Sequence, residues 1–189
     1  LLDAIATNHT SFFREAQHFE ILATRVVSDW LERRDRSPLT GWSAPCSTGE
    51  EPYSIAMTLL ESLPVSDHGR VRLEPEHVDY VMRMMARVEG IPRPLLRKYF
   101  ERGLGDQSGL ARVRQHVRDR VQVRVQNLLE IESLGRGFEF IFCRNLMIYF
   151  DRPVQQRVVA MLERHLLPGG YLFIAHSERL TGVQHGLEW

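Results

Sequence analysis

The sequence predicts an α/β domain. Its frame is a mainly parallel sheet covered by helices on both faces, with a small antiparallel β insert. Three observations carry this. Strand-like and helical segments alternate at βαβ spacing, most clearly where Phe138–Cys143 and Tyr171–Ala175 flank a helical run. A strand candidate at Leu39–Pro45 enters a small-residue loop, Cys46-Ser47-Thr48-Gly49, that feeds straight into another helix. Leu110–Arg114 and Val121–Val125 alternate apolar with polar residues, as half-buried antiparallel strands do.

The elements follow in order. A polar stretch, Thr7-Asn8-His9-Thr10-Ser11, precedes a helical face on which Phe19, Leu22, Val26 and Trp30 recur at three- and four-residue steps. After the first strand, Ile55, Leu59 and Leu63 fall four apart, with Met57 and Leu60 widening the stripe. Thr48 and Glu51 have capping-box spacing, and Pro52 suits a first turn. Val71–Leu73 reads as a short strand, and residues 75–100 as mostly helical, broken at Gly90, Pro92 and Pro94. Near the end, Asp151 caps a helix with Pro153 in its first turn. Val154, Val158, Met161, Leu162 and Leu166 share one face of it, and Pro168-Gly169-Gly170 ends it.

Composition excludes several classes. The 189 residues make one domain, and 43% hydrophobic with 25% charged residues is ordinary for a folded protein. With 24 basic against 24 acidic residues, the net charge of +0 argues against nonspecific nucleic-acid binding. No apolar run approaches the roughly 18 residues of a spanning helix, and no signal peptide is present, so the cytoplasm is the expected compartment. Cys46 and Cys143 are too few for a disulfide framework. The eight histidines are scattered without ligand spacing, so no metal is expected. A G-x-S-x-G elbow and a Walker loop are absent. The start at Leu1 and end at Trp189 read as part of something longer.

Three stretches carry candidate chemistry. Trp42–Ser54 takes a strand through a small-residue loop to a helix N-terminus, where α/β sheets bind ligands. Its acids Glu50 and Glu51 suit an amine or hydroxyls rather than a pyrophosphate, although Glu51 could instead simply close a capping box. Asn8–Glu15 places polar side chains before Phe12, Phe13 and Arg14. It reads either as a helix cap over core aromatics or as an anion site at Arg14, with Asn8 and Thr10 orienting a ligand. Phe142–Phe150 puts Cys143, Arg144, Asn145 and Tyr149 past the carboxyl end of a strand, on the same sheet edge as the Cys46–Glu51 loop.

Together these stretches resemble the chemotaxis receptor methyltransferase family, CheR. The matching residues are N-x-T-x-F-F-R-E at Asn8–Glu15, W-S-A-P-C-S-T-G-E-E-P-Y-S-I-A-M at Trp42–Met57, Asn127–Leu129, F-C-R-N-L-M-I-Y-F at Phe142–Phe150, and His176-Ser177-Glu178. The resemblance implies a doubly wound sheet of the S-adenosylmethionine methyltransferase type and methyl transfer from that cofactor to glutamate carboxylates of chemoreceptor cytoplasmic domains. It implies that Asn8, Thr10 and Arg14 contact the cofactor, that Arg14 also borders the substrate carboxylate, and that Glu51 sits at the cofactor's polar end. Asn127 and Leu128 would frame the adenine, Cys143 and Arg144 lie along the cofactor, and Tyr149 face the incoming glutamate. Phe12, Phe13, Met147 and Tyr149 are the candidate apolar walls. The family's ribose-binding acid falls at His77, so Glu76 is the expected substitute, with Asp79 the other nearby acid. Residues 99–125 resemble the family's β-subdomain, which in some members docks a receptor tether peptide. The family's N-terminal helical domain would precede Leu1. The competing reading is a module that binds S-adenosylmethionine or its demethylated product, S-adenosylhomocysteine, as a sensor or scaffold. A nucleotide-dependent oxidoreductase would need a glycine-rich turn that is absent.

Overall fold

A computed structural model of the chain describes residues 10–33, 35, 37–75, 88, 90–103, 110–122 and 137–188. The first helical segment is α1 (Ala16–Ile21), a π-helical turn at Leu22–Val26, and α2 (Val27–Glu32). Its predicted face is the buried one: Phe19, Leu22, Val26 and Trp30 are all inside. Strand β1 (Leu39–Ser43), helix α3 (Glu50–Ser62) and strand β2 (Val71–Pro75) form one βαβ unit. Strand β5 (Phe138–Phe142), helix α6 (Arg152–His165) and strand β6 (Leu166–Phe173) form another. Between them lie α4 (Arg93–Tyr99), β3 (Phe100–Arg102), β4 (Ala111–Val113) and the short α5 (Gln115–Arg118).

The main sheet has the order β2-β1-β5-β6, and every pairing is parallel. The chain winds outward in both directions from the β1–β5 pair, so the topological switch point lies between those strands. From Phe140 to Cys143, the residue just past β5, alternate positions divide between two cores. Phe140 and Phe142 join α3 and the first helical segment, whereas Ile141 and Cys143 join α6. That split is the doubly wound arrangement, with helices on both faces.

Close packing at the switch point depends on Gly41. A β-carbon there would sit 2.0 Å from Cζ of Phe140, a ring with no exposure. Gly41→Ala is therefore expected to lower stability by about 1–3 kcal/mol or more. The measurement is a denaturant midpoint, which should fall with the slope unchanged; an unshifted midpoint would contradict it.

The structure corrects three sequence expectations. The antiparallel insert is β3 with β4, Phe100 opposite Val113, and it does not include Val121. Val121 instead bridges Leu73 in parallel, at the outer side of β2. Alternation marks a strand covered on one face and does not by itself separate an antiparallel hairpin from the edge of a parallel sheet. Helix α6 stops at His165 rather than at Pro168-Gly169-Gly170, because Leu166 already pairs with Phe138 and those three residues fall inside β6 at a register irregularity. Pro94 opens α4 rather than breaking a helix. Asp151 caps α6 as expected, accepting from Val154 N at 3.0 Å. Among the described residues, no helix is long and apolar enough to cross a membrane.

Candidate active site

The carboxyl ends of β1 and β5 release two loops side by side. Gly49, at φ 101°, turns the first into α3 and occupies the N-cap position without a side-chain cap. Thr48 donates to Glu50 Oε2 at 2.6 Å, so Glu51 does not close a capping box. Glu51 points across the rim instead. Its Oε1 accepts from Ser43 Oγ at 2.7 Å and its Oε2 from Arg144 Nη1 at 2.9 Å. Burial pushes the Glu51 carboxyl above the usual carboxylate range, while the Arg144 guanidinium and the Ser43 hydroxyl pull it back.

Arg144 ties three segments together. Its side chain is 3% exposed, and Nη2 reaches the Arg14 carbonyl at 2.6 Å and Glu15 Oε2 at 3.1 Å. A buried guanidinium between two carboxylates is the arrangement its planar fork of donors suits. The backbone is strained around it. Phe13, Glu15, Ser47 and Asn145 are the non-glycine residues with positive φ among those described, and all four lie on the segments that converge here. Each such conformation costs roughly 1–2 kcal/mol and persists only where surrounding contacts impose it.

Beyond Glu15 the network continues into two imidazoles. Donor atoms of Glu15, His18 and His176 lie within 4.8 Å of one another, a proximity that sequence spacing gave no sign of. Arg144 already neutralises the same Glu15 oxygen, and its positive charge opposes a cation beside it. His18 is buried, with its ring against Phe173 and His176. Burial first, and then the Arg144 guanidinium, push this imidazole down to about 4. The folded state thus binds fewer protons than the unfolded chain between about 4 and the ordinary value of 6.5. Stability is complete above that window and falls as the pH drops through it. Acid denaturation is expected to destabilise the wild type more than His18→Gln over this window; equal losses would contradict the assignment.

The family model described as "CheR methyltransferase, SAM binding domain" matches residues 8–188. The chain belongs to the CheR methyltransferase family. Chemotaxis protein methyltransferase 2 of Pseudomonas aeruginosa is 40% identical, over 97% of this chain and 68% of its own length. The chemotaxis protein methyltransferase of Salmonella typhimurium is 41% identical, over 96% of this chain and 64% of its own. The chain spans about two thirds of the length of the curated relatives it matches. Among solved structures, an O-methyltransferase family protein from Burkholderia thailandensis aligns at 14% identity and a TM-score of 0.47, over 84% of this chain and 36% of that one.

Within this CheR domain Arg144 links Glu51 to the Arg14 carbonyl, and Cys143 and Tyr149 lie on the segment that leaves β5. Arg14 is exposed and contributes its carbonyl to Arg144, Cys143 is fully buried beneath the loop, and Tyr149 is half-buried in the turn Met147–Tyr149. Thr10 is half-buried at the start of the described chain. Asn8, Glu76, Asp79, Asn127 and Leu128 lie outside the described residues. Two of the candidate wall residues are buried: Phe12 packs edge-on against Phe100 at 5.3 Å, and Met147 joins the α6 cluster. Phe13 packs against Phe19, and its N–H donates to Ser54 Oγ, tying this segment to α3. Sequence reasoning gave no role to Ser43, Glu15 or Glu178. All three stand inside the quoted motifs, and nothing but tertiary contact reveals what they hold.

The rim also offers polar atoms to a ligand. Arg144 Nε and Ser47 Oγ are buried and have no hydrogen-bond partner among the described residues. A buried donor left unpaired costs about 1–3 kcal/mol, so such atoms suit a bound polar group. S-adenosylmethionine carries an amine, a carboxylate and hydroxyls, which match Glu51, Arg144 and Ser47. The residues present fit the cofactor.

Proposed function

We propose that this domain transfers the methyl group of S-adenosylmethionine to glutamate side chains of chemoreceptor cytoplasmic domains, forming methyl esters. The observation that carries the reading is the Ser43–Glu51–Arg144–Glu15 chain of contacts at the switch point of the sheet, within a family-matched methyltransferase domain. Glu51 and Arg144 hold the cofactor's polar end, with Thr10 and Arg14 beside them and Cys143 forming the floor. Asn8, Glu76, Asn127 and Leu128 complete the proposed cofactor contacts. S-adenosylmethionine, when bound, supplies an electrophilic methyl group on a positively charged sulfur.

A glutamate carboxylate is ionised at neutral pH, so none of the chain's residues has to act as a general base. The domain's task is placement and exclusion of water. Aligning the reacting groups removes most of the entropic barrier, and a dry site favours a step in which opposite charges disappear. Tyr149 lines the acceptor's approach. The Arg14 guanidinium holds the carboxylate oxygen that does not react. Its grip must be moderate, because the carboxylate loses its charge on methylation. The finer expectation, a receptor tether peptide, is supported by the two-stranded β3–β4 sheet, whose outer strand edges can accept an added strand. The cytoplasm is the setting in which that acceptor is available.

The test is transfer of isotopically labelled methyl from S-adenosylmethionine to receptor-bearing membranes. Alkali-labile label on the receptor, released as methanol, is expected. Tight cofactor binding without any transfer would instead make the domain a sensor or scaffold.

A further inference from the structure

His176-Ser177-Glu178 belongs to the family resemblance, yet the proposed reaction assigns Glu178 no part. Its placement is unusual. Glu178 is 6% exposed, and among the described residues no basic side chain pairs with it. Its partners are three backbone N–H groups. Oε2 accepts from Asn145 N at 3.0 Å and Ala175 N at 2.9 Å, and Oε1 accepts from Met147 N at 2.8 Å. Its own N–H donates to the Ala175 carbonyl at 2.9 Å, closing the turn that follows β6. One carboxylate therefore clamps the exit loop of β5 to the exit turn of β6.

The clamped loop is the one that carries the site. Asn145 is held at φ 57°, between Arg144 and the Met147–Tyr149 turn. An isolated asparagine gains little from that conformation, whereas an N–H aimed at a buried carboxylate compensates for it. Arg144 immediately precedes this anchor, and Tyr149 follows the second anchor, at Met147, by two residues. The loop's position is thus set from β6, and with it the point from which the Arg144 guanidinium reaches Glu51, Glu15 and the Arg14 carbonyl.

We propose that Glu178 is a positioning residue for methyl transfer, fixing Arg144 and Tyr149 through the backbone N–H groups of Asn145 and Met147. The proposal rests on the function proposed above. Glu178→Gln keeps the shape but turns an amide N–H₂ toward a backbone N–H, so one anchor must open. Glu139→Gln is the structural control. Glu139 is also a buried carboxylate, but it bonds Thr40 N and Oγ1 at the opposite end of β1.

Calorimetry with S-adenosylhomocysteine and steady-state methyl transfer, run on both variants, distinguish clamp from scaffold. Glu178→Gln is expected to lose tenfold or more in affinity and in kcat, while Glu139→Gln lowers the melting temperature and keeps both within about twofold, the level of a change far from the site. Unchanged affinity and kcat in Glu178→Gln, or losses in both variants that simply track melting temperature, would overturn the proposal. If the wild type binds S-adenosylhomocysteine but transfers no methyl, the proposed function fails while the affinity comparison still decides whether the clamp shapes the site. If Glu178→Gln does not fold, amide exchange in the unaltered protein decides. Asn145, Met147 and Ala175 are expected to exchange as slowly as β5, and exchange at exposed-loop rates would overturn the clamp.

Discussion

Arg14→Ala is expected to abolish methyl transfer while the fold survives. The residue is exposed, and the contact it makes with Arg144 uses its carbonyl, which alanine retains. Truncating an exposed arginine whose backbone contact is kept is expected to cost no more than about 1 kcal/mol. The guanidinium is the group proposed to orient the acceptor carboxylate, and misplacing a nucleophile by about an ångström can cost on the order of a hundredfold. The measurement pairs turnover on receptor membranes with a melting curve. Turnover near that of the wild type would remove Arg14 from the mechanism, and loss of the melting transition would make its role structural.

Arg144→Met is expected to lose both cofactor binding and stability. The wild-type guanidinium lies between Glu51 and Glu15, and the side chains of these acids are 11% and 16% exposed. Removing one partner from a buried ion network leaves uncompensated charge and costs about 3–5 kcal/mol. For a chain of this size that lowers the melting temperature by roughly 6–20 °C. The pH dependence follows from Glu51. Burial already raises its pKa, and losing Arg144 removes the largest influence holding it down. In the variant the folded state then binds more protons than the unfolded chain above the ordinary carboxylate range, so its stability declines as pH rises and partly recovers as pH falls. A variant deficit below about 1 kcal/mol, or one that grows on acidification, would contradict the buried network.

Local periodicity made much of this architecture legible. Phe19, Leu22, Val26 and Trp30 shared a face in the sequence and share one in the fold, and the two βαβ units stand where strand and helix periods alternate. Val121 escaped because an alternating pattern reports exposure of one face, whereas strand direction depends on which neighbour the chain reaches. The end of α6 escaped because Pro168-Gly169-Gly170 is strong turn chemistry, and pairing of Leu166 with Phe138 is a tertiary fact that overrides it. At the site, Arg144 and Asn145 stood out from their place after a strand, whereas Tyr149 drew its role from the family resemblance alone. Glu51 was ambiguous until Thr48 turned out to bond Glu50, leaving the Glu51 carboxylate for Ser43 and Arg144. The Glu15–His18–His176 group and the Glu178 clamp join distant parts of the chain, and no spacing rule reaches that far.

The proposed function requires the rim between β1 and β5 to bind S-adenosylmethionine through Glu51 and Arg144. Calorimetric titration of the protein with S-adenosylmethionine and S-adenosylhomocysteine, with Glu51→Gln alongside, decides whether it does. Saturable one-site binding of both molecules to the wild type is expected, with at least tenfold weaker binding to Glu51→Gln, about 1.4 kcal/mol. A folded wild type that takes up neither molecule, or a Glu51→Gln variant that binds both as well as the wild type, would contradict it.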